Sequence, residues 1–226
     1  MTITDWNCQL LPSAWDERRS PRRIACALEE MYLRHGITHF HLMPAYDLKR
    51  ESVSAFLHRT ERMKESLSPH LPSVISLHVG STVSLSPSIS DLRSLDRLRY
   101  RSSLCVSLPL CSYADWIDQE LNALLFRRRL PLAFFSFEKA VILYPKEIVE
   151  KLLRIKGAAF QFSFRSLQEP AVLSVIQSLL KEHKTVLLGT EINAPEKIGL
   201  YDLPFYLDRA KGFLGERDFR RLLSNA

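Results

Sequence analysis

Histidine and carboxylate side chains are the residues of this sequence that could bind a metal ion. His39 and His41 occupy alternate positions of a predicted strand, so both side chains point to the same face. With His78, Glu191 and Asp16 they could form a metal site if the fold brings these segments together at one end of a sheet. The alternative, which we favour, is that His39 and His41 fill structural positions in the core or at a strand end.

The four cysteines do not show the spacing of a reactive or metal-binding thiol. No pair has Cys-x-x-Cys spacing, and none is followed by an arginine six positions later, as a phosphatase loop of Cys-x5-Arg form requires. The sequence also lacks a Gly-x-Ser-x-Gly elbow, a dinucleotide fingerprint and a Walker loop. Motifs therefore assign no catalytic residue and no metal ligand.

Composition places the chain among ordinary globular proteins. It has 226 residues, of which 46% are hydrophobic and 25% charged, and its formal net charge is +6. These values exclude a disordered, collagenous or coiled-coil chain. No run of 18 apolar residues predicts a membrane span, and neither a secretory signal nor a disulfide pattern is evident, so we expect a cytoplasmic location.

Strand-like apolar runs alternate with helical patterns along the whole sequence. Strands are predicted at 3–11, 37–43, 73–85, 104–110, 132–137, 158–164 and 185–188. Helices are predicted at 20–35, 48–67, 113–129, 145–156, 170–183, 203–213 and 216–223. This alternation predicts an α/β fold with a parallel sheet, and so many units in one domain of residues 1–226 favour a closed barrel. Function in such barrels lies at the carboxyl ends of the strands.

Four sequence strings resemble the PHP (polymerase and histidinol phosphatase) superfamily, and most closely its CpsB-like tyrosine phosphatases. The segment 5–12 resembles the family's Asp-x-His-x-His-Ile-Leu-Pro, and 36–46 resembles its Gly-Ile-Thr-His…Thr-Pro-His. Residues 135–139 align with Ala-His-Pro-Glu-Arg, and 156–167 with the Lys-Gly-Ala…Ser-Leu run. The strings keep their order and spacing over roughly residues 3 to 220.

The resemblance implies a distorted TIM-like (β/α)7 barrel that carries two or three manganese-like ions and hydrolyses phosphotyrosine. The residues that align with the family's ligands, however, are mostly poor donors, since neutral amides and hydroxyls bind transition metals far more weakly than imidazole does. We interpret these positions as vestiges of a metal site. They are Asn7, Gln9, Asp16, Ala45, Thr82, Ser136, Thr190 and Ile192.

The favoured hypothesis is therefore a pseudophosphatase that needs no cofactor. Its partner, inferred from the family, would be the phosphorylated tail of a tyrosine kinase or another polysaccharide-assembly protein. One alternative is an active, manganese-dependent tyrosine phosphatase with relocated ligands. Another is a barrel that binds a sugar phosphate or other small molecule.

A cluster of arginines follows the first predicted strand and could bind a phosphate group or an acidic peptide. It comprises Arg18, Arg19, Arg22 and Arg23, and the alternative is a solvated helix start. The arginines at 127–129 end a predicted helix, where the helix dipole favours cations, so we interpret them as structural. Aromatic residues lie in strand-like runs and predict core filling, so no nucleic-acid partner is expected.

Overall fold

The computed structural model describes residues 3–11 and 20–224. Its nine strands are β1 (Ile3–Cys8), β2 (Ile37–Leu42), β3 (Ala45–Tyr46), β4 (Ser76–Val79), β5 (Thr82–Ser84), β6 (Leu104–Ser107), β7 (Leu132–Phe135), β8 (Ala159–Ser163) and β9 (Thr185–Gly189). Its seven α-helices are α1 (Pro21–His35), α2 (Val53–Leu67), α3 (Asp115–Asn122), α4 (Phe137–Leu143), α5 (Lys146–Leu153), α6 (Pro170–Lys181) and α7 (Leu203–Ser224).

All strand pairs are parallel, which confirms the predicted α/β class. One sheet has the order β1-β2-β4 and the other the order β3-β5-β6-β7-β8-β9. β3 follows β2 after two residues, and β5 follows β4 in the same way. The backbone N–H groups of Gly80 and Thr82 bond to the carbonyls of Leu42 and Pro44, at 2.9 and 3.0 Å, so the two sheets meet along these interrupted strands.

β1 and β9 approach each other at the remaining edges. Glu191 N donates to the carbonyl of Asn7 at 2.8 Å, and Gln9 N donates to that of Ile192 at 3.0 Å. A Cβ atom on Gly189 would lie 2.6 Å from the backbone nitrogen of Asn7, so this close approach requires glycine. The described residues form no β1–β9 strand ladder, and the predicted barrel closure is not established by the pairing pattern.

The core lies mainly between the sheets and the helices. Phe134, Phe137, Phe160 and Phe162 are fully buried and form a chain of aromatic contacts with centroids 4.9–5.9 Å apart. A smaller cluster packs on the other face of the sheet: Met43, Cys105, Ala133 and Phe135. Alternate strand positions thus supply two apolar layers.

Local signals set several helix boundaries. Ser20 Oγ accepts a hydrogen bond from the backbone of Arg23 at 3.2 Å, and Gly36 ends α1 in the left-handed conformation, which agrees closely with the predicted helix 20–35. Gly215, with φ of 76°, interrupts α7 and confirms the predicted division into two helical stretches.

Several predicted elements are wrong at their ends, among them helix 48–67, which begins at Val53, and strand 104–110, which ends at Ser107. The predicted strand 132–137 stops at Phe135, because Ser136 adopts a left-handed φ of 54° and Phe137 begins α4. The predicted helix 113–129 ends as α-helix at Asn122 and continues as a π-helical turn, Ala123–Arg127. None of the described helices is both long enough and apolar enough to span a bilayer.

Candidate functional site

The carboxyl end of β1 places Asn7 among polar groups of two other strand ends. Asn7 Nδ2 donates to Gln161 Oε1 at 2.8 Å and to Glu191 Oε1 at 3.3 Å. Gln9 Nε2 donates to Asn7 Oδ1 at 3.4 Å. Asn7 and Gln161 are completely buried, so each amide depends on protein partners for its hydrogen bonds.

Ser136 and Lys139 complete this network from the β7 side. The Ser136 hydroxyl donates to Glu191 Oε1, and the Ser136 backbone N–H donates to Gln161 Oε1 at 2.8 Å. The ammonium group of Lys139 lies 3.4 Å from Glu191 Oε2. Both oxygens of the Glu191 carboxylate are therefore engaged by groups of the protein. We call Asn7, Gln161, Ser136, Glu191 and Lys139 the amide network.

Asp5 is a second buried carboxylate near the amide network. It accepts hydrogen bonds from the Thr190 backbone at 2.8 Å, from the Thr190 hydroxyl at 2.5 Å and from the Asn7 backbone at 3.0 Å. Complete burial nevertheless raises the pKa of Asp5 to about 6, because desolvation penalises the charged form more than these bonds favour it. Asp5 thus ties β1 to the end of β9.

Glu138 lies on α4 beside this network and is also buried. Its Oε2 accepts a bond from the Ser163 backbone at 3.3 Å. Burial, and then the charge of Glu191, raise the pKa of Glu138 to about 7. The raised pKa values of Asp5 and Glu138 mean that both carboxyl groups are protonated well above the usual pH range for acidic side chains.

The donor set does not suit the metal centre that the family resemblance implies. Asn7, Gln9 and Ser136 do come together, but their neutral amide and hydroxyl groups already take part in hydrogen bonds. In residues 3–11 and 20–224, no three histidine, cysteine or acidic side chains are arranged to hold a metal ion. Binding a cation here would require breaking the contacts of Glu191.

The other proposed vestigial positions lie apart from this network or serve structural roles. Ala45 pairs in register with Thr82 across β3 and β5, and the Thr82 hydroxyl is buried without a hydrogen-bond partner in the described part of the chain. Ile192 belongs to the hydrophobic core, and Thr190 bonds to Asp5. Asp16 lies outside the described residues.

His78 and Glu191, the described members of the hypothesised replacement site with Asp16, have contacts with different partners. His78 stacks on His41, with centroids 4.9 Å apart, whereas Glu191 bonds to the amide network. His41 also stacks on Trp6 at 4.1 Å and shares a hydrogen bond with the Tyr100 hydroxyl. Burial lowers the pKa of His41 to about 3, so it is a neutral structural residue.

His39, the other strand histidine, interacts with its sequence neighbour. Its Nδ1 lies 2.9 Å from the Thr38 hydroxyl. The alternate positions of His39 and His41 are confirmed by the strand, but the two rings contact different partners. A joint ligand role therefore has no geometric support.

The predicted phosphate-binding arginines are only partly described. Arg22 and Arg23 are exposed in the first turn of α1, where Arg23 pairs with Glu196. Arg18 and Arg19 lie outside the described residues. The pairing brings the start of α1 against the turn Pro195–Leu200.

A cavity of about 440 Å³ opens at the ends of β8 and β9 and carries two cations that sequence reasoning missed. Arg165 is exposed and has no hydrogen-bond or ion-pair partner in the described part of the chain. Lys197, on the turn Pro195–Leu200, donates to Asn193 Oδ1 at 2.8 Å. Tyr201 and Tyr206 supply aromatic walls. Glu191 also lines the cavity, but its carboxylate is engaged by the amide network, so the unpartnered Arg165 suits an anionic ligand.

Gln161 and Glu138 were also missed as site residues, although weak signals existed. Gln161 is a polar residue between two strand phenylalanines, and Glu138 belongs to the segment 135–139 that carries the family resemblance. Neither signal indicates a partner, because the partners lie on distant segments.

The fold is similar to that of a solved chain from crystal structures of YwqE from Bacillus subtilis and CpsB from Streptococcus pneumoniae, described as unique metal-dependent tyrosine phosphatases. The TM-score is 0.66 and the sequence identity 14%, and the match covers 99% of this chain and 92% of that chain. No protein-family model and no curated protein matches the sequence. At this identity, the similarity shows that the chain shares the fold of those phosphatases.

Proposed function

We propose that this chain is a pseudophosphatase: a (β/α)7 barrel of PHP type that binds a phosphorylated or acidic partner without metal catalysis. The amide network carries the proposal. The resemblance places Asn7, Gln9 and Ser136 at ligand positions, and here these side chains hydrogen-bond within the protein.

Glu191 is the carboxylate of the amide network and therefore its most suitable ligand for a metal ion. One of its oxygens accepts bonds from Ser136 and Asn7, and the other faces Lys139. A metal ion would have to displace these partners and leave buried polar groups unsatisfied, at a cost of about 1–3 kcal/mol for each group. The amides of Asn7 and Gln9 would return little of that cost as ligands.

The cavity between the ends of β8 and β9 supports binding of an anion. Arg165 presents a free guanidinium that can form two parallel hydrogen bonds to a phosphate group. Lys197 adds a second cation to the lining of the cavity. The tail of a tyrosine kinase, or another polysaccharide-assembly protein, is the partner that the family resemblance suggests.

Two assays test this proposal with the purified protein. We expect no hydrolysis of para-nitrophenyl phosphate with added manganese, beyond a control without protein. We expect a fluorescently labelled phosphotyrosine peptide to bind more tightly than its unphosphorylated form, and Arg165→Gln to weaken that binding about tenfold. Lys49→Gln, an exposed change in the loop after β3, is the matched control and should leave binding unchanged.

Chelator-sensitive turnover would contradict the proposal and favour the active phosphatase. Equal binding of both peptides would contradict the phosphate-binding part. Saturable binding of a sugar phosphate with no peptide binding would favour the small-molecule barrel instead.

A further inference from the structure

Charge is distributed unequally between the two ends of the strands. Five described segments each connect a helical element to the strand that follows it: 68–75, 99–103, 128–131, 154–158 and 182–184. The connection before β2 is a single glycine and is not counted. They contain seven cations and one anion, Glu182. The seven cations, which we call the basic face, are Arg99, Arg101, Arg128, Arg129, Arg154, Lys156 and Lys184.

The described segments that follow strands have the opposite balance. Segment 85–98 is left out of this comparison, because Arg127 and Arg128 contact Asp91 and the Arg93 carbonyl. The other segments contain four cations: Lys49, Arg50, Arg165 and Lys197. They contain six anions: Asp47, Glu51, Glu169, Glu191, Glu196 and Asp202. Because all strand pairs are parallel, the amino ends of the strands lie at one edge of each sheet, and the described connecting segments at that edge carry a net positive charge.

Helix dipoles explain only part of this concentration. Cations are stabilised at helix carboxyl ends, and Arg128 also bonds to the carbonyls of Ser90 and Leu92. Arg129 and Lys156, however, are exposed and have no partner in the part of the chain that the structure describes. Their charges are available to an external anion.

Two large apolar side chains are exposed at the same edge. Phe126, in the π-helical turn before β7, is 74% exposed and is followed by the arginines at 127–129. Leu33, in the last turn of α1 before β2, is 73% exposed. An exposed aromatic ring beside basic residues is typical of proteins that lie on a bilayer surface.

We propose that the basic face docks on an anionic lipid surface, with Phe126 entering the headgroup region. This site is at the opposite end of the strands from the proposed partner site and does not depend on it. The exposed cations lie in the segments before β6, β7 and β8, which are neighbours in one sheet, so a broad anionic plane can meet several of them together: Arg99, Arg129, Arg154 and Lys156.

A single-stranded nucleic acid fits this face less well. Binding of that kind uses open aromatic faces on which bases stack. Trp6, which packs against this region, is covered by His41 on one side and by the Arg101 guanidinium, 4.4 Å from the ring, on the other.

Vesicle co-sedimentation tests the proposal. We expect the protein to bind vesicles of phosphatidylcholine and phosphatidylserine, but not of phosphatidylcholine alone, and to be released by high salt. The triple variant Arg129→Asn, Arg154→Gln, Lys156→Gln should bind about a hundredfold more weakly, at about fivefold for each cation. The control triple Lys49→Gln, Arg50→Gln, Arg209→Gln removes equal charge away from the basic face and the cavity, and should bind as the parent protein does.

Phe126→Ser separates membrane docking from general attraction to polyanions. We expect about tenfold weaker vesicle binding, because the apolar contribution is lost, with an unchanged salt dependence. The proposal is overturned if anionic vesicles do not bind at low salt, or if both triple variants lose binding equally. It is also overturned if Phe126→Ser has no effect while a DNA duplex binds more tightly than the vesicles. Matched melting temperatures of the variants exclude misfolding as the cause.

Discussion

The Ser136 hydroxyl donates a hydrogen bond to the Glu191 carboxylate, and both residues hold a left-handed backbone with φ of 54°. Such a conformation costs a residue other than glycine about 1 kcal/mol or more, so it persists where surrounding contacts favour it. Here the contact joins the segment after β7 to the segment after β9. The two strained residues therefore hold together the strand ends at which the amide network forms.

Removing the hydroxyl of Ser136 should weaken the fold. We expect Ser136→Ala to lower the free energy of unfolding by about 1–3 kcal/mol, because a buried acceptor of Glu191 loses a donor while the backbone strain remains. Ser136→Gly should cost less, since glycine tolerates the left-handed backbone. Urea unfolding of both variants measures the difference. Equal stability of Ser136→Ala and the parent protein would show that the hydrogen bond from Ser136 to Glu191 does not stabilise the fold.

Glu138 should make the protein less stable as the pH rises. Its pKa is raised from 4.5 to about 7 in the folded state, so the folded protein binds the proton more tightly than the unfolded chain does. The resulting stability is fully present below about pH 4.5 and is lost as the pH rises through 7.

Glu138→Gln should therefore stabilise the protein at pH 8 by about 1–3 kcal/mol and flatten this part of the pH profile. The glutamine can still accept the bond from the Ser163 backbone. Chemical denaturation between pH 5 and pH 8 compares the two proteins. If the free energy of unfolding changed with pH equally in the variant and the parent protein, the raised pKa of Glu138 would be refuted.

His41 should produce the opposite pH dependence. Its folded pKa is lowered from 6.5 to about 3 by burial, so the unfolded chain takes up the proton first. This contribution to stability is present above about pH 6.5 and is lost as the pH falls towards 3. Histidine titration followed by NMR should show a neutral His41 ring at pH 5. Protonation of His41 near pH 6.5 in the folded protein would contradict its burial between Trp6 and His78.

Gly189 should be intolerant of any side chain. Gly189→Ala would place a Cβ atom 2.6 Å from the backbone nitrogen of Asn7, so we expect β1 and β9 to separate locally, with a loss of about 1–3 kcal/mol. Hydrogen exchange at the backbone amides of Gln9 and Glu191 should accelerate, since these bonds cross the junction. Gly199→Ala is the control, because its added Cβ would have no atom of the described residues within 4 Å, apart from those of its own chain neighbours. Similar exchange in both variants would argue against a tight junction.

Elements with local signals could be predicted from the sequence, and elements set by distant contacts could not. The cap at Ser20 and the stop at Gly36 lie next to α1, and its bounds were predicted closely. The end of β7 was not, because 132–137 is a continuous run of strand-like character and only contacts of Ser136 with Gln161 and Glu191 indicate the turn.

In the candidate site, too, residues with a local sequence signal could be predicted and residues set by distant contacts could not. The resemblance pointed to Asn7, Gln9 and Ser136 as residues of one site, and the structure brings them together. Gln161 was missed because its partners Asn7 and Ser136 are 154 and 25 residues away in the sequence. Spacing along a strand shows which face a residue occupies, but not which segment lies across from it.

Metal analysis tests most directly the central claim, which is that the strand ends do not bind a metal ion. After dialysis with manganese and removal of free ion, elemental analysis of the purified protein should find far less than one ion per chain, and manganese should leave the melting temperature within about 1 °C of its metal-free value. Stoichiometric manganese, iron or zinc that stays bound and raises the melting temperature by many degrees would contradict the claim. It would show that the strand ends hold a metal centre after all.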